Sequence, residues 1–129
     1  MRILVDTNVI LSGLIAKGAC FEILEDLVYS HTPVITSFIR AETQRSLLQK
    51  FSFSPATVKE LLSVVDNHFV KGKDAIKLQH VCRDPNDDQV LADALFNEVD
   101  IILSGDKDLL SMEKYDKIRI IGPNDYWKL

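Results

Sequence analysis

Short apolar runs alternate with amphipathic stretches along this chain, and the alternation predicts an α/β fold with a mainly parallel central sheet flanked by helices. The runs 3–5 and 101–103 are continuous and apolar, as is typical of strands that are buried on both faces. Asp6 directly follows the first run, and Asp106 follows the second after Ser-Gly. Ligand crevices in such folds lie at the carboxyl ends of the strands, so both acids are candidate site residues.

Helical patterns connect the predicted strands. The region after Asp6 is helical to about Val28 and is divided at Gly18. Residues 33–36 predict a second strand. Ser37 is the expected N-cap of a helix that extends to about Lys50.

The second half of the chain continues this pattern. Ser54-Pro55 begins a helix, with proline at the first helical position. Residues 75–82 are a weak strand candidate, and Asp84-Pro85 is a strong helix start. Asp106 caps a short helix, and residues 118–121 form the last strand.

Length and composition limit the classes of protein to consider. The 129 residues predict one domain, spanning 1–129, and a hydrophobic content of 47% is enough for a core of its own. The net charge of −4 argues against a protein that coats nucleic acid through bulk positive charge, but it allows a nuclease with acids around a metal. The N-terminal apolar stretch is interrupted at Asp6-Thr7-Asn8, and no run reaches the roughly 18 apolar residues of a membrane span. We therefore expect a cytoplasmic protein that contacts no membrane.

Four acids stand where strands end or helices begin: Asp6, Glu42, Asp88 and Asp106. Asp6 and Asp106 could each serve only as a helix cap, and Glu42 could be solvated. Asp88 lies three residues before Leu91, at the edge of a buried stripe, where a carboxylate needs a partner. If the four converged, they would repel one another unless a hard divalent cation such as Mg²⁺ or Mn²⁺ lay between them.

Neighbouring polar residues have simpler explanations. Asp84 and Asp87 are accounted for by capping and by the helix dipole. Asp108 falls in the first turn of a short helix and is a weaker metal candidate. Ser104 is placed to orient a carboxylate or a water. The histidines form no catalytic constellation, and the sequence has no zinc spacing and no glycine-rich phosphate loop.

Taken together, these segments resemble the PIN-domain family of metal-dependent ribonucleases, and within it the toxins of bacterial and archaeal toxin–antitoxin pairs. The resemblance covers nearly the whole chain and rests on four motifs in order: residues 3–9, 37–42, 83–94 and 102–109.

The resemblance implies a PIN-like three-layer fold and one groove lined by four catalytic and metal-binding acids: Asp6, Glu42, Asp88 and Asp106. One or two Mg²⁺ or Mn²⁺ ions would bind there, with Asp108 as a less regular ligand. Asn8 and Ser104 match polar positions that support the site. The implied reaction is the cleavage of single-stranded RNA by water, which needs no nucleophilic side chain.

The resemblance also directs attention to binding partners. Arg40, Arg45 and Lys107 are candidates for guiding the RNA backbone, although each could be an ordinary solvated charge. An antitoxin protein is an expected partner. A homodimer is expected through the apolar segment 58–69.

Two other functions stay open at this stage. A haloacid-dehalogenase-like phosphatase would form a phospho-aspartate at Asp6, but it needs a second aspartate where this chain has Asn8. A catalytically silent PIN-like module would bind RNA or protein and would show no chelator-sensitive ribonuclease activity.

Overall fold

A computed structural model describes residues 1–76 and 78–129 of the chain. The strands are β1 Arg2–Val5, β2 Thr32–Ile35, β3 Val70–Lys71, β4 Ile101–Leu103, β5 Lys114–Tyr115 and β6 Ile118–Ile121. They form one sheet in the order β3-β2-β1-β4-β6-β5, and every neighbouring pair is parallel except β5 and β6. The predicted α/β class with a mainly parallel sheet is confirmed.

Helices connect the strands and flank the sheet. They are α1 Thr7–Ile15, α2 Ala19–Ser30, α3 Ser37–Arg45, α4 Pro55–His68, α5 Pro85–Phe96, α6 Lys107–Met112 and α7 Pro123–Tyr126. A turn of π-helix, Ser46–Lys50, continues α3 and is called the π turn below. The predicted break at Gly18 separates α1 from α2, and Ser54 caps α4 with Pro55 at its first position, as predicted.

The two central strands of the sheet, β1 and β4, end side by side. β1 and β4 are adjacent, and their apolar residues are fully buried. Beyond the strands the pairing continues, because the backbone N–H of Asp6 donates to the Leu103 carbonyl at 2.9 Å and that of Ser104 donates to the Ile121 carbonyl at 3.0 Å. The segments that follow β1 and β4 therefore leave the sheet next to each other.

A small second hydrophobic core lies between the π turn and α4. Leu47 of the π turn packs with Val58 and Leu62 of α4, and all three are buried. Leu11 and Leu14 of α1 pack against the same cluster, so it holds the π turn against both α4 and α1.

Two local predictions were wrong in detail. Thr36, not Ser37, is the N-cap of α3, because its side chain accepts the Ile39 N–H. In the interval 75–82 the described residues form no strand, and Lys77 lies outside the described residues. Instead, side chains of α5 bond the start of this segment: Asp93 Oδ1 accepts the Ala75 N–H at 2.6 Å.

Among the described residues, no single helix is long and apolar enough to cross a membrane. Helices α1 and α2 are long and apolar enough only when taken together, and a bend of 107° separates them.

Candidate active site

An acidic groove of about 230 Å³ opens at the carboxyl ends of β1 and β4, between α1, α3 and the start of α5. It is lined by five carboxylates: Asp6, Glu42, Asp84, Asp87 and Asp106. The structure thus brings together three of the four predicted acids. It adds Asp84 and Asp87, which capping and the helix dipole had accounted for from the sequence.

Three of these acids are helix N-caps, and this explains why they converge. Each cap accepts one backbone N–H: Oδ1 of Asp6 from Thr7 (2.8 Å), Oδ1 of Asp84 from Asn86 (2.9 Å) and Oδ1 of Asp106 from Asp108 (2.8 Å). Helices α1, α5 and α6 therefore direct their N-termini at one groove. The partial positive charge at each N-terminus offsets part of the repulsion between the carboxylates.

Ser104 joins the ends of the two central strands. Its hydroxyl, which is buried, donates to Asp6 Oδ2 at 2.7 Å and accepts the Asp106 N–H at 3.0 Å. Asn8 makes a parallel contact, since its Oδ1 accepts the Gly105 N–H at 3.1 Å. Both residues connect the loops after β1 and β4, and Ser104 orients the carboxylate of Asp6.

Asp87 is the acid whose environment is most unusual. Only 6% of the residue is exposed, and its Oδ2 has no hydrogen-bond partner among the described residues. Burial, followed by the charges of Asp106, Asp84 and Asp6, raises its pKa to about 7. A buried carboxylate oxygen without a donor, facing other carboxylates, is well suited to a cation.

A cluster of three carboxylates fits a hard divalent metal. Asp87, Asp106 and Asp108 each offer one oxygen, and these three oxygens lie within 4.8 Å of one another. Oxygen ligands of this kind suit Mg²⁺ or Mn²⁺ and do not favour a soft metal. Asp108 also forms an ion pair with Arg83, whose Nη2 is 2.7 Å from its Oδ1.

Asp6 and Glu42 have raised pKa values as well, and burial is the largest cause for each. Hydrogen bonds from Ser104 and Thr7 oppose the shift at Asp6, and the Thr7 hydroxyl, 3.3 Å from Glu42 Oε1, opposes it at Glu42. The net shift of the pKa is upward at both acids. Its main source is loss of water, with like-charge repulsion a smaller contribution.

Asp88 does not reach the groove, and its predicted place there was wrong. Its Oδ1 accepts the N–H groups of Val81 (2.9 Å) and Cys82 (2.8 Å), and these bonds lower its pKa. The reason is helix geometry: neighbouring positions point in directions about 100° apart. Asp87 shares the groove with Val90, three residues later, whereas Asp88 lines a different cavity, about 460 Å³, with Ala92.

The three basic residues predicted to guide RNA have different surroundings. Arg40 is engaged by Asp66, with both Nε and Nη2 at 2.8 Å from its carboxylate oxygens. Arg45 is exposed, and its charge acts to lower the pKa of Glu42, so it lies near the groove. Lys107 is exposed. Lys50, which the sequence analysis did not select, lines the groove itself.

Lys50 and Asp87 could have been found from spacing. Glu42, Ser46 and Lys50 all line the groove and follow one another at intervals of four, so they share one side of α3 and the π turn. Asp87 precedes the buried residues Val90 and Leu91 by three and four positions, which places it closer to the apolar stripe than Asp88.

Comparison with known proteins agrees with this architecture. The model of the PIN domain family matches residues 2–108. No curated protein sequence matches the chain.

Two solved structures are similar over most of their length. VapBC2 from Rickettsia felis, solved bound to a DNA fragment from its promoter, superposes with a TM-score of 0.70 at 12% identity, covering 95% of this chain and 98% of that one. The PIN domain endonuclease Utp24 gives a TM-score of 0.56 at 21% identity, covering 94% of this chain and 84% of that one. These two similarities show a shared fold. The family match over residues 2–108 shows that the chain belongs to the PIN-domain family.

Proposed function

Starting from its membership of the PIN-domain family, we propose that this protein is a Mg²⁺- or Mn²⁺-dependent endoribonuclease that cleaves single-stranded RNA. The observation that carries the proposal is the buried, unpartnered oxygen of Asp87 among the carboxylates at the ends of β1 and β4. The description of Utp24 as a PIN domain endonuclease supports a nuclease on this fold.

We assign the metal to the groove around Asp87, Asp106 and Asp108, with Asp6 and Glu42 on its other walls. When bound, Mg²⁺ or Mn²⁺ would lower the pKa of a water molecule and stabilise charge on the phosphate oxygens during in-line attack. Asp88 is removed from the proposed set of ligands, and Asp87 replaces it.

The remaining residues prepare the carboxylates for this task. Ser104 and the Thr7 N–H fix both oxygens of Asp6, so that this carboxylate keeps one orientation. The Thr7 hydroxyl orients Glu42. Burial and the neighbouring acids raise the pKa of Asp87 to about 7, and a cation in the groove would favour loss of its proton.

Cleavage of a labelled single-stranded RNA tests the proposal. We expect products with Mg²⁺ or Mn²⁺, none with a chelator, and none from Asp87→Asn, while Asp88→Asn serves as the matched control and stays active. The same sequence as a duplex and as single-stranded DNA should be cut more slowly. RNA binding without any metal-dependent cleavage would contradict the proposal and favour the silent module. A covalent phosphate on Asp6 would favour the phosphatase.

We further propose that the protein is the toxin of a toxin–antitoxin pair. The fold it shares with VapBC2 from Rickettsia felis supports this, together with the resemblance of its motifs to such toxins. Induced expression should arrest growth of a bacterial host, Asp87→Asn should remove the arrest, and co-expression of an antitoxin encoded beside it should relieve it. Growth arrest by the Asp87→Asn variant would contradict this role.

The predicted homodimer stays a proposal. In the segment 58–69, Val64 is 47% exposed, and the segment lines an apolar groove of about 630 Å³ with α2. Small-angle scattering at high protein concentration would give the mass of a dimer if the proposal is right and that of a monomer if it is wrong.

A further inference from the structure

A second groove, of about 410 Å³, continues from the acidic groove along α1. The two grooves share three lining residues, Asn8, Leu11 and Lys50. Their linings differ in character: the acidic groove is dominated by carboxylates, whereas the second adds Ile15 and Phe51 and contains no carboxylate among its lining residues. A polar, acidic compartment therefore opens directly into an apolar one.

The walls of the second groove are built by helix periodicity. Asn8, Leu11, Ser12 and Ile15 recur at intervals of three and four residues, so they form one face of α1. This face is opposed by Lys50 and Phe51, at the end of the π turn.

The π turn determines which residues form the opposing wall. It is closed by a bond from the Phe51 N–H to the Ser46 carbonyl at 3.0 Å, five residues back, so it contains more residues than an α-helical turn. Lys50 and Phe51 consequently lie above Ser46, on the groove side, where an α-helix would bring Gln49 and Lys50. The chain then leaves the helix at once, because Ser52 has a φ of 55°. Phe51 is left at the helix end with 43% of its surface exposed.

We propose that this second groove binds an unstacked base of the RNA, with Phe51 stacking on the base and Lys50 contacting a backbone phosphate at the junction of the grooves. The inference rests on the proposed function, because it concerns the same strand of RNA. Three observations support this occupant: the continuity with the acidic groove, the exposed aromatic ring, and the positive charge of Lys50, which forms no ion pair with any described residue.

The arrangement explains a preference for single strands in physical terms. Aromatic side chains bind bases that are splayed out of a strand, and a duplex keeps its bases stacked and paired. Stacking tolerates every base because each has a π face, so Phe51 would hold the strand in place without a fixed sequence. The lysine at the junction would set the position of the phosphate relative to the carboxylates.

Binding of a fluorescein-labelled single-stranded RNA, measured by anisotropy in an Asp87→Asn background that does not cut, tests the proposal. Phe51→Ala should weaken binding about 5- to 150-fold, and Phe51→Trp should restore it. Phe96→Ala is the matched control, since Phe96 is 52% exposed on α5 outside both grooves, and it should leave the affinity unchanged. Lys50→Gln should lower the slope of log K against log salt by about 0.7.

A base analogue gives a second measurement. 2-Aminopurine moved along the RNA should be quenched strongly at one position, and Phe51→Ala should abolish the quenching. Equal affinities of Phe51→Ala and Phe96→Ala, failure of Phe51→Trp to rescue, or no RNA binding at all would overturn the subsite. Failure of the proposed nuclease function would give a different result. The wild type would then bind the RNA with Phe51-dependent quenching but would not cut it in the presence of Mn²⁺.

Discussion

Substituting Asp87 and Asp88 separately should produce opposite effects, although the two residues are neighbours with the same side chain. Asp87 has a raised pKa of about 7 because it is buried beside other acids. Asp88 has a lowered pKa because two backbone N–H groups bind its carboxylate. Asn in place of Asp87 removes an unfavourable charge, whereas Asn in place of Asp88 removes a favourable one.

The contribution of the Asp87 carboxyl to the free energy of unfolding becomes less favourable as the pH rises. Below about pH 4 the carboxyl is protonated in both the folded and unfolded states. Between about pH 4 and 7 the folded state keeps a proton that the unfolded state has lost, so the free energy of unfolding falls as the pH rises. The difference between 3.8 and about 7 corresponds to about 4 kcal/mol. Asp84 is exposed and Asp106 is half-buried, so water screens the charges that face Asp87, and we expect a loss of about 1–2 kcal/mol by pH 8.

Urea unfolding with and without Mn²⁺ checks this reasoning. In chelator at pH 8, Asp87→Asn should be about 1–2 kcal/mol more stable than the wild type, and this advantage should disappear at pH 4. Mn²⁺ at a hundred times its dissociation constant should stabilise the wild type by about 2.7 kcal/mol but leave Asp87→Asn unchanged. Asp88→Asn should be less stable than the wild type yet still be stabilised by Mn²⁺. The placement of the two acids would be refuted if Asp88→Asn were more stable than the wild type. It would also be refuted if Asp88→Asn lost the stabilisation by Mn²⁺ while Asp87→Asn kept it.

Two further substitutions test the site and the packing beneath it. Arg83→Gln should strengthen Mn²⁺ binding by at most about fivefold in calorimetric titration, because it frees Asp108 from an exposed ion pair; weaker binding would contradict this. Gly13→Ala should lower the free energy of unfolding by about 1–3 kcal/mol, since an added Cβ would lie 2.3 Å from Leu24 Cδ1 at the contact between α1 and α2. Gly18→Ala, where the Cβ would meet nothing within 4 Å, should cost clearly less, and equal losses would exclude the steric explanation.

The parts of the fold that the sequence predicted are those with a strong local signal. The continuous apolar runs that became β1 and β4 admit few alternatives, and the Asp-Pro and Ser-Pro pairs mark helix starts by known capping chemistry. Strands β3 and β5 have two residues each, too few for any periodicity, and both were missed. Their pairing depends on neighbours far along the chain, which local patterns do not reveal.

The sequence predicted where the acidic groove lies and three of its five acids. Strand ends gave Asp6 and Asp106, and the family resemblance gave Glu42. The choice between Asp87 and Asp88 depended on the rotation of α5 about its axis, and a difference of one residue turns the side chain by about 100°. The ion pair between Arg40 and Asp66 spans 26 residues, so the sequence offered no sign that this arginine is already engaged.

Capping and metal binding, which compete as explanations when the sequence is read alone, are compatible in the folded protein. A carboxylate has two oxygens, and the N-cap aspartates of α1, α5 and α6 each bond a helix N–H with one of them. The cap fixes the position of the side chain, and the helix N-terminus stabilises its negative charge. Asp87 has no such bond at its Oδ2 and has the pKa of about 7. The groove therefore combines carboxylates that the helix caps hold in place with one, Asp87, whose raised pKa would couple the proposed metal binding to proton release.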